Sequence, residues 1–257
     1  MFGRQKVSTI LAEFLGTGIL TFLILSVQRS TIGVPFFVAA AAGLALAVTT
    51  YILHETSGAH FNPAITIGLW SARRISTMRG VVYIAAQLLG GLLAGVLYAY
   101  FSNSHLQSVG GHYASRILVA EAVGTAVFSF GIASTIFKKY SVEGVAAFSG
   151  IAYMIGILTA SAGSAALGLL NPAVALGVHA WVWTTYVLGP VIGGIIGINL
   201  YILLFSGTEG SEARATAGLS LSSFKLPKSS SASSASSSIK APAKKTSKKK
   251  TAAKRKR

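Results

Sequence analysis

Cysteine is absent from this chain, which excludes disulfides, thiolate-held metals and thiol catalysis. Charge is scarce as well: 11% of residues are Asp, Glu, Lys or Arg against 52% hydrophobic, with a mean hydropathy of +0.64. That balance points away from a soluble globule and toward a chain that crosses a membrane several times. No nucleophile paired with a base, no metal-ligand cluster and no phosphate-binding loop occurs in the sequence, so neither catalysis nor a metal or cofactor is expected. No cleavable signal peptide is expected either, because the first apolar run is too long for a signal core and no convincing cleavage site follows it.

The net charge of +16 would suggest a nucleic-acid partner if it were spread over a folded surface. Instead it is concentrated at one end: of the 22 Lys and Arg, 13 lie from Arg214 onward and 9 before it. From Ser206 the apolar runs cease and Ser, Ala and Lys take over, the composition of a disordered tail over 206–257.

The body, 1–205, holds six apolar runs at about 7–27, 34–53, 81–101, 117–137, 145–165 and 181–205, each long enough for the roughly 30 Å hydrocarbon core. Two shorter segments begin at Asn62-Pro63-Ala64 and Asn171-Pro172-Ala173. Asn is a favoured helix N-cap, and Pro fits the first helical position because its missing N–H would be unpaired there anyway. The run from Pro63 to about Ser71 makes a helix of ~13 Å, which reaches only about halfway across. The second is expected to run from Asn171 to near Ala180.

The two halves repeat, about 7–101 and 116–205. Ala12-Glu13-Phe14-Leu15-Gly16-Thr17 is matched 108 residues later by Ala120-Glu121-Ala122-Val123-Gly124-Thr125, and the first Asn-Pro-Ala 109 residues later by the second. Each half carries three spans, an odd number, so the second half enters the membrane upside down. The expected fold is therefore an all-α membrane protein of six transmembrane helices and two half-helices in an inverted repeat, with the half-helix N-termini meeting near the midplane. With both termini on the cytoplasmic side, Arg4, Lys6, Arg73, Arg74, Arg79, Lys138 and Lys139 lie inside and Arg29 and Arg116 outside, as the positive-inside rule requires.

Two Asn-Pro-Ala boxes in an inverted six-span repeat, each half opening with Ala-Glu-x-x-Gly-Thr, resemble the aquaporin, or major intrinsic protein, family. The resemblance covers about 7–205 and implies a homotetramer with one pore per subunit for water or small neutral solutes. The residues agree with it. Asn62 and Asn171 can cap their own helices and still offer an N–H to a passing oxygen, which orients single-file water and interrupts a proton wire. Two helix N-termini, each worth about half a positive charge, also disfavour cations. The alternative for the boxes is ordinary loop capping.

Glu13 and Glu121 are carboxylates inside apolar spans, at equivalent places in the repeats. Symmetry favours a structural role, holding the half-helix loops through backbone N–H groups; proton coupling is the alternative. His60 matches the family's loop histidine, with packing and backbone hydrogen bonding expected and gating by protonation as the other reading. Gln87-Leu88-Leu89-Gly90-Gly91 and Pro190-Val191-Ile192-Gly193-Gly194 occupy corresponding places and are read as close-packing stretches, with Gln87 counted beside Glu13, Glu121 and His60 as a buried structural residue.

Most family members carry Arg directly after the second box; here Val174 stands there, followed by Ala175 rather than the Asp usual in glycerol channels. Spacing from the boxes places the other constriction positions at Ala42, Thr159 and Gly168. A ring of Ala42, Thr159, Gly168 and Val174 has no aromatic, His or Arg, and is expected to be wide and poor in donors. The sequence therefore reads as a passive channel for water and small neutral solutes, with glycerol, urea, ammonia and hydrogen peroxide as candidates. The runner-up readings are a secondary transporter and a non-conducting scaffold acting through its tail. That tail, similar in composition to linker-histone tails, is expected on anionic headgroups of the lipid bilayer in preference to nucleic acid.

Overall fold

The computed structural model describes residues 3–162 and 166–205, all helical or loop. Eight α-helices follow in order: α1 (Arg4–Gln28), α2 (Pro35–Ser57), α3 (Pro63–Ser71), α4 (Thr77–Phe101), α5 (Ser115–Phe137), α6 (Val142–Ser161), α7 (Pro172–Gly177) and α8 (Gly189–Phe205). A π-helical segment, Trp183–Leu188, leads into α8. Among the described residues, six helices are long and apolar enough to cross a membrane: α1, α2, α4, α5, α6 and the joined Trp183–Phe205. The expected 206–257 tail, with its lipid and nucleic-acid partners, lies outside the described residues.

Packing follows the repeat. In the first half α1 packs on α2 and α4; in the second α5 packs on α6 and α8, and α2 meets α6 across the junction. The half-helices are exchanged: α3 lies against α8 of the other repeat and α7 against α4. The two stretches read from sequence as close-packed are these contacts. A Cβ on Gly194 would lie 2.5 Å from the Ala64 carbonyl, and one on Gly91 would collide with the Ala173 carbonyl, so each span touches the opposite half-helix backbone to backbone.

Apolar side chains line the outside as well as the inside. Leu11, Leu15, Ile19 and Leu23 recur every fourth residue on α1 and stay half exposed, the face that hydrocarbon covers. Three buried threonines are satisfied within their own helices: Thr17 Oγ1 donates to the Glu13 carbonyl (2.7 Å), Thr21 Oγ1 to that of Thr17 (2.8 Å) and Thr49 Oγ1 to that of Ala45 (2.7 Å).

Helix ends depart from the apolar runs because caps and local bonds, not hydropathy, stop a helix. The first span extends back to Arg4, and the second continues to Ser57 before Gly58 turns left-handed at φ +92°. The second half-helix ends at Gly177 rather than near Ala180. There His179 adopts φ +61° and the Ala180 N–H returns to the Ala175 carbonyl at 2.9 Å, closing the last turn. The fifth span ends at Ser161, and residues 163–165 of its expected end lie outside the described residues. The sixth begins at Trp183 instead of Trp181.

Candidate functional site

Each half-helix is preceded by a loop in which the residues one and three before the Asn are left-handed. In the first, Ala59 has φ +54° and Phe61 +48°; in the second, Gly168 has φ +65° and Leu170 +53°. For a residue with a Cβ this conformation costs about 1–2 kcal/mol, so something must hold it. The holders are the buried carboxylates. Glu13 accepts the N–H groups of His60 (3.0 Å) and Phe61 (2.8 Å), and Glu121 those of Gly168 (2.9 Å), Leu169 (3.1 Å) and Leu170 (2.8 Å).

The loops differ at one donor. Gln87 Nε2 donates to Glu13 at 2.7 Å, whereas the corresponding Pro190 has no side-chain donor. Glu121 takes its third hydrogen bond from Gly168, while the Ala59 N–H at the equivalent place goes to Ser57 Oγ at 3.0 Å. Each carboxylate thus receives three N–H donors.

The Ala-Glu-x-x-Gly-Thr segments carry the rest of this support. Gly16 leaves room for the Phe61 ring: a Cβ there would lie 2.5 Å from Phe61 Cδ1. Gly124 does the same for Leu170, whose Cδ2 would be 2.9 Å away. Thr17 and Thr125 each bond the carbonyl of their Glu at 2.7 Å. Gly16, Gly124, Phe61 and Leu170 were not singled out as site residues from sequence. The signal was present in the repeated Gly and in the apolar residue before each Asn.

The left-handed Phe61 and Leu170 aim their carbonyls across the repeat junction. Asn62 Nδ2 donates to the Leu170 carbonyl and Asn171 Nδ2 to the Phe61 carbonyl, both at 2.9 Å. Asn62 Oδ1 caps α3 by accepting the Ala64 N–H (2.8 Å), and Asn171 Oδ1 caps α7 through Ala173 (3.0 Å) and Val174 (3.4 Å). Pro63 and Pro172 open the two helices. A carboxamide nitrogen carries two hydrogens, so each Asn has one more to offer.

His60 is tied in through its ring as well as its backbone. Its Nδ1 lies 3.1 Å from Thr66 Oγ1, and its ring stands edge-on to Tyr83 at 5.1 Å. Thr66 Oγ1 also accepts from Gln87 Nε2 at 2.9 Å, so His60, Thr66, Gln87 and Glu13 form one buried chain. Gln87 is therefore a hydrogen-bonding member of the site, in a stretch read from sequence as packing. Among the described residues, no group of three or more His, Cys, Asp or Glu is arranged to hold a metal ion.

The four positions matched by spacing lie on four elements. Ala42 on α2 and Val174 on α7 are fully buried. Thr159 on α6 is half-buried and donates its hydroxyl to the Ile155 carbonyl at 2.8 Å. Gly168 lies in the second loop, seated against Ile157 and Ser161 of α6.

A family model described as Major intrinsic protein matches residues 3–201. Among curated relatives, Aquaporin Z of Photorhabdus laumondii is 31% identical over 223 residues, covering 76% of this chain and 96% of its own. A probable TIP-type aquaporin of Medicago truncatula is 33% identical over 190 residues, with 68% and 74% covered, and Aquaporin AqpM of Methanothermobacter thermautotrophicus is 32% identical over 185 residues, with 65% and 75% covered. The X-ray structure of the aquaglyceroporin from Plasmodium falciparum has the same fold, with a TM-score of 0.63 at 21% identity over 81% of this chain and 99% of that one. A match over most of the body, with two Asn-capped half-helices held by paired carboxylates, makes this chain a member of the aquaporin, or major intrinsic protein, family.

Proposed function

We propose that the chain is a passive channel for water and small neutral solutes, selective through a wide filter of Ala42, Thr159, Gly168 and Val174. Glycerol, urea, ammonia and hydrogen peroxide are the candidate solutes. The observation that carries the reading is the reciprocal bond between the loops, Asn62 to the Leu170 carbonyl and Asn171 to that of Phe61. It brings two amide donors and two helix N-termini together. A water that accepts from both amides has its hydrogens turned outward, which breaks proton transfer along the file, and the positive helix ends disfavour cations. Relatives named aquaporins and a structural neighbour named an aquaglyceroporin support water and small polyols as the class of cargo.

The three donors on each of Glu13 and Glu121 favour a fixed structural role over the proton coupling a transporter needs. Both termini are assigned to the cytoplasm by the distribution of Arg and Lys, and the channel domain to 1–205. The half-exposed apolar faces suit lipid and the subunit contacts of a homotetramer. The basic tail, 206–257, would then rest on anionic headgroups, each Lys or Arg near the surface contributing about 1 kcal/mol. Stopped-flow light scattering on proteoliposomes tests the reading. Water, glycerol and urea fluxes above protein-free liposomes are expected; a channel that passes water and none of the solutes sinks the permissive filter.

A further inference from the structure

Three residues of α6 at helical spacing, Tyr153, Gly156 and Ile157, lie beneath the second loop, each against a different one of its residues. Tyr153 Oη donates to the Leu169 carbonyl at 2.8 Å. A Cβ built on Gly156 would lie 2.8 Å from Leu170 Cδ1, and one on Gly168 would lie 2.9 Å from the Ile157 carbonyl oxygen. Tyr153 is fully buried, Leu169 is buried with it, and the Phe128 ring of α5 rests against the Tyr153 ring at 4.7 Å. Packing therefore fixes where the hydroxyl points.

Leu169 stands between the two left-handed residues of its loop, Gly168 at φ +65° and Leu170 at φ +53°. Glu121 holds the N–H groups of all three from α5, and Asn62 holds the Leu170 carbonyl from the opposite loop. None of these bonds reaches α6. The Tyr153 hydroxyl supplies that hold.

The first loop is fastened in another way. A Cβ on either Gly43 of α2 or Gly150 of α6 would run into the carbonyl of the other, so the two helices meet at corresponding places. Three residues on from each, Leu46 stands where α6 has Tyr153, and it has no donor. The first loop relies instead on Gln87 Nε2 to Glu13 (2.7 Å) and on His60 Nδ1 beside Thr66 Oγ1 (3.1 Å). The second repeat has Pro190 in place of Gln87 and Leu169 in place of His60, and neither side chain can make such a bond. Each loop thus has its own side-chain fastening besides the carboxylate.

We propose that Tyr153 is the positioning residue of the second loop. By fixing the Leu169 carbonyl on α6 it sets both neighbours, Gly168 and the Leu170 carbonyl that Asn62 uses. The inference rests on the reading of Gly168 as a filter position and of the Asn pair as the middle of the pore. Without the hydroxyl, Gly168 is no longer held against α6 and moves into the opening, where it slows a bulky solute more than water.

The test is Tyr153→Phe, which keeps the ring and its contact with Phe128 and removes only the donor. Hydrogen–deuterium exchange of the full-length protein in detergent reads the loop directly. Amides of 166–171 are expected to exchange about 5-fold or more faster, because the buried Leu169 carbonyl has lost its partner, while those in the middle of α1 keep their rate. In proteoliposomes, the glycerol-to-water flux ratio per folded molecule is expected to fall by about 2- to 10-fold, the worth of one net hydrogen bond. A lower thermal midpoint with exchange at 166–171 and the flux ratio both unchanged would make Tyr153 a packing residue and overturn the assignment. Faster exchange in α1 to the same degree would do so too, since the loss would then be global. If the unsubstituted protein passes water but no glycerol, the permissive filter falls by itself. Tyr153 is then judged on loop exchange and on water flux, which Tyr153→Phe must lower.

Discussion

Asn62 and Asn171 each donate to the carbonyl that immediately precedes the other, at 2.9 Å in both directions. The two carboxamides are thus single pieces of a shared arrangement: each caps its own half-helix with its oxygen and ties the opposite loop with its nitrogen. The carbonyls that accept these bonds belong to the left-handed Phe61 and Leu170.

This mutual tie makes the effect of Asn62→Ala larger than that of losing a cap. The cap alone is worth about 1 kcal/mol, and the buried Leu170 carbonyl left without its donor adds about 1–3 kcal/mol. A loss of about 2–4 kcal/mol is expected, read as a lower midpoint of thermal unfolding in detergent. Asn171→Ala is expected to match it. A loss confined to one of the two would mean that the loops are held independently.

Glu13→Gln and Glu121→Gln separate support from proton coupling. An amide nitrogen in place of one carboxylate oxygen faces a backbone N–H it cannot accept, leaving that buried donor unpaired at about 1–3 kcal/mol. Stability is expected to fall by that amount in each variant. Water and solute flux per folded molecule should persist and should not respond to a proton gradient. Flux that is proton-driven in the unsubstituted protein and abolished by Glu13→Gln would make it a transporter.

Gly16→Ala pushes a Cβ into the Phe61 ring, an overpacking expected to cost about 1–3 kcal/mol. The second repeat suggests a partial remedy, since Leu170 at the equivalent place meets a Cβ on its Gly at 2.9 Å, a milder approach at the end of a flexible side chain. Gly16→Ala combined with Phe61→Leu is expected to be more stable than Gly16→Ala alone. Gly124→Ala has no such partner change, because its Cβ would also lie 2.5 Å from the Gly156 carbonyl. Thermal midpoints of the three variants check the coupling.

The fold was legible because a membrane requires backbone hydrogen bonds to close within each span, so apolar runs report the number and approximate place of the spanning helices. The two boxes at one offset added the half-helices and the inversion. What was not legible is set by local bonding. The π-helical turn at Trp183–Leu188 and the stop at Gly177 depend on bonds such as Ala180 N–H to the Ala175 carbonyl, which leave no mark in hydropathy. At the site, Asn and Pro announce the caps. The left-handed Phe61 and Leu170 do not announce themselves, since apolar residues rarely adopt that conformation. Gln87 is legible as a buried structural residue from its polarity inside an apolar span, but its partner is not, because the bond to Glu13 joins residues 74 apart.

Val174 offers the most direct test of the filter. Its side chain is fully buried one residue past the second box, and its N–H points back to Asn171 Oδ1 at 3.4 Å. Val174→Arg brings a long cationic side chain to the proposed ring with Ala42, Thr159 and Gly168, where it would narrow the opening and add a positive barrier. Glycerol and urea fluxes are expected to fall by about 10-fold or more, equivalent to at least ~1.4 kcal/mol on the barrier, with water reduced less. Any proton or cation leak should fall as well. Val174→Leu adds bulk without charge, so it should lower solute flux and leave ion leak where it was. The pair of variants thus divides size from electrostatics in one stopped-flow and ion-flux series. Solute flux unchanged in both would put Val174 outside the filter.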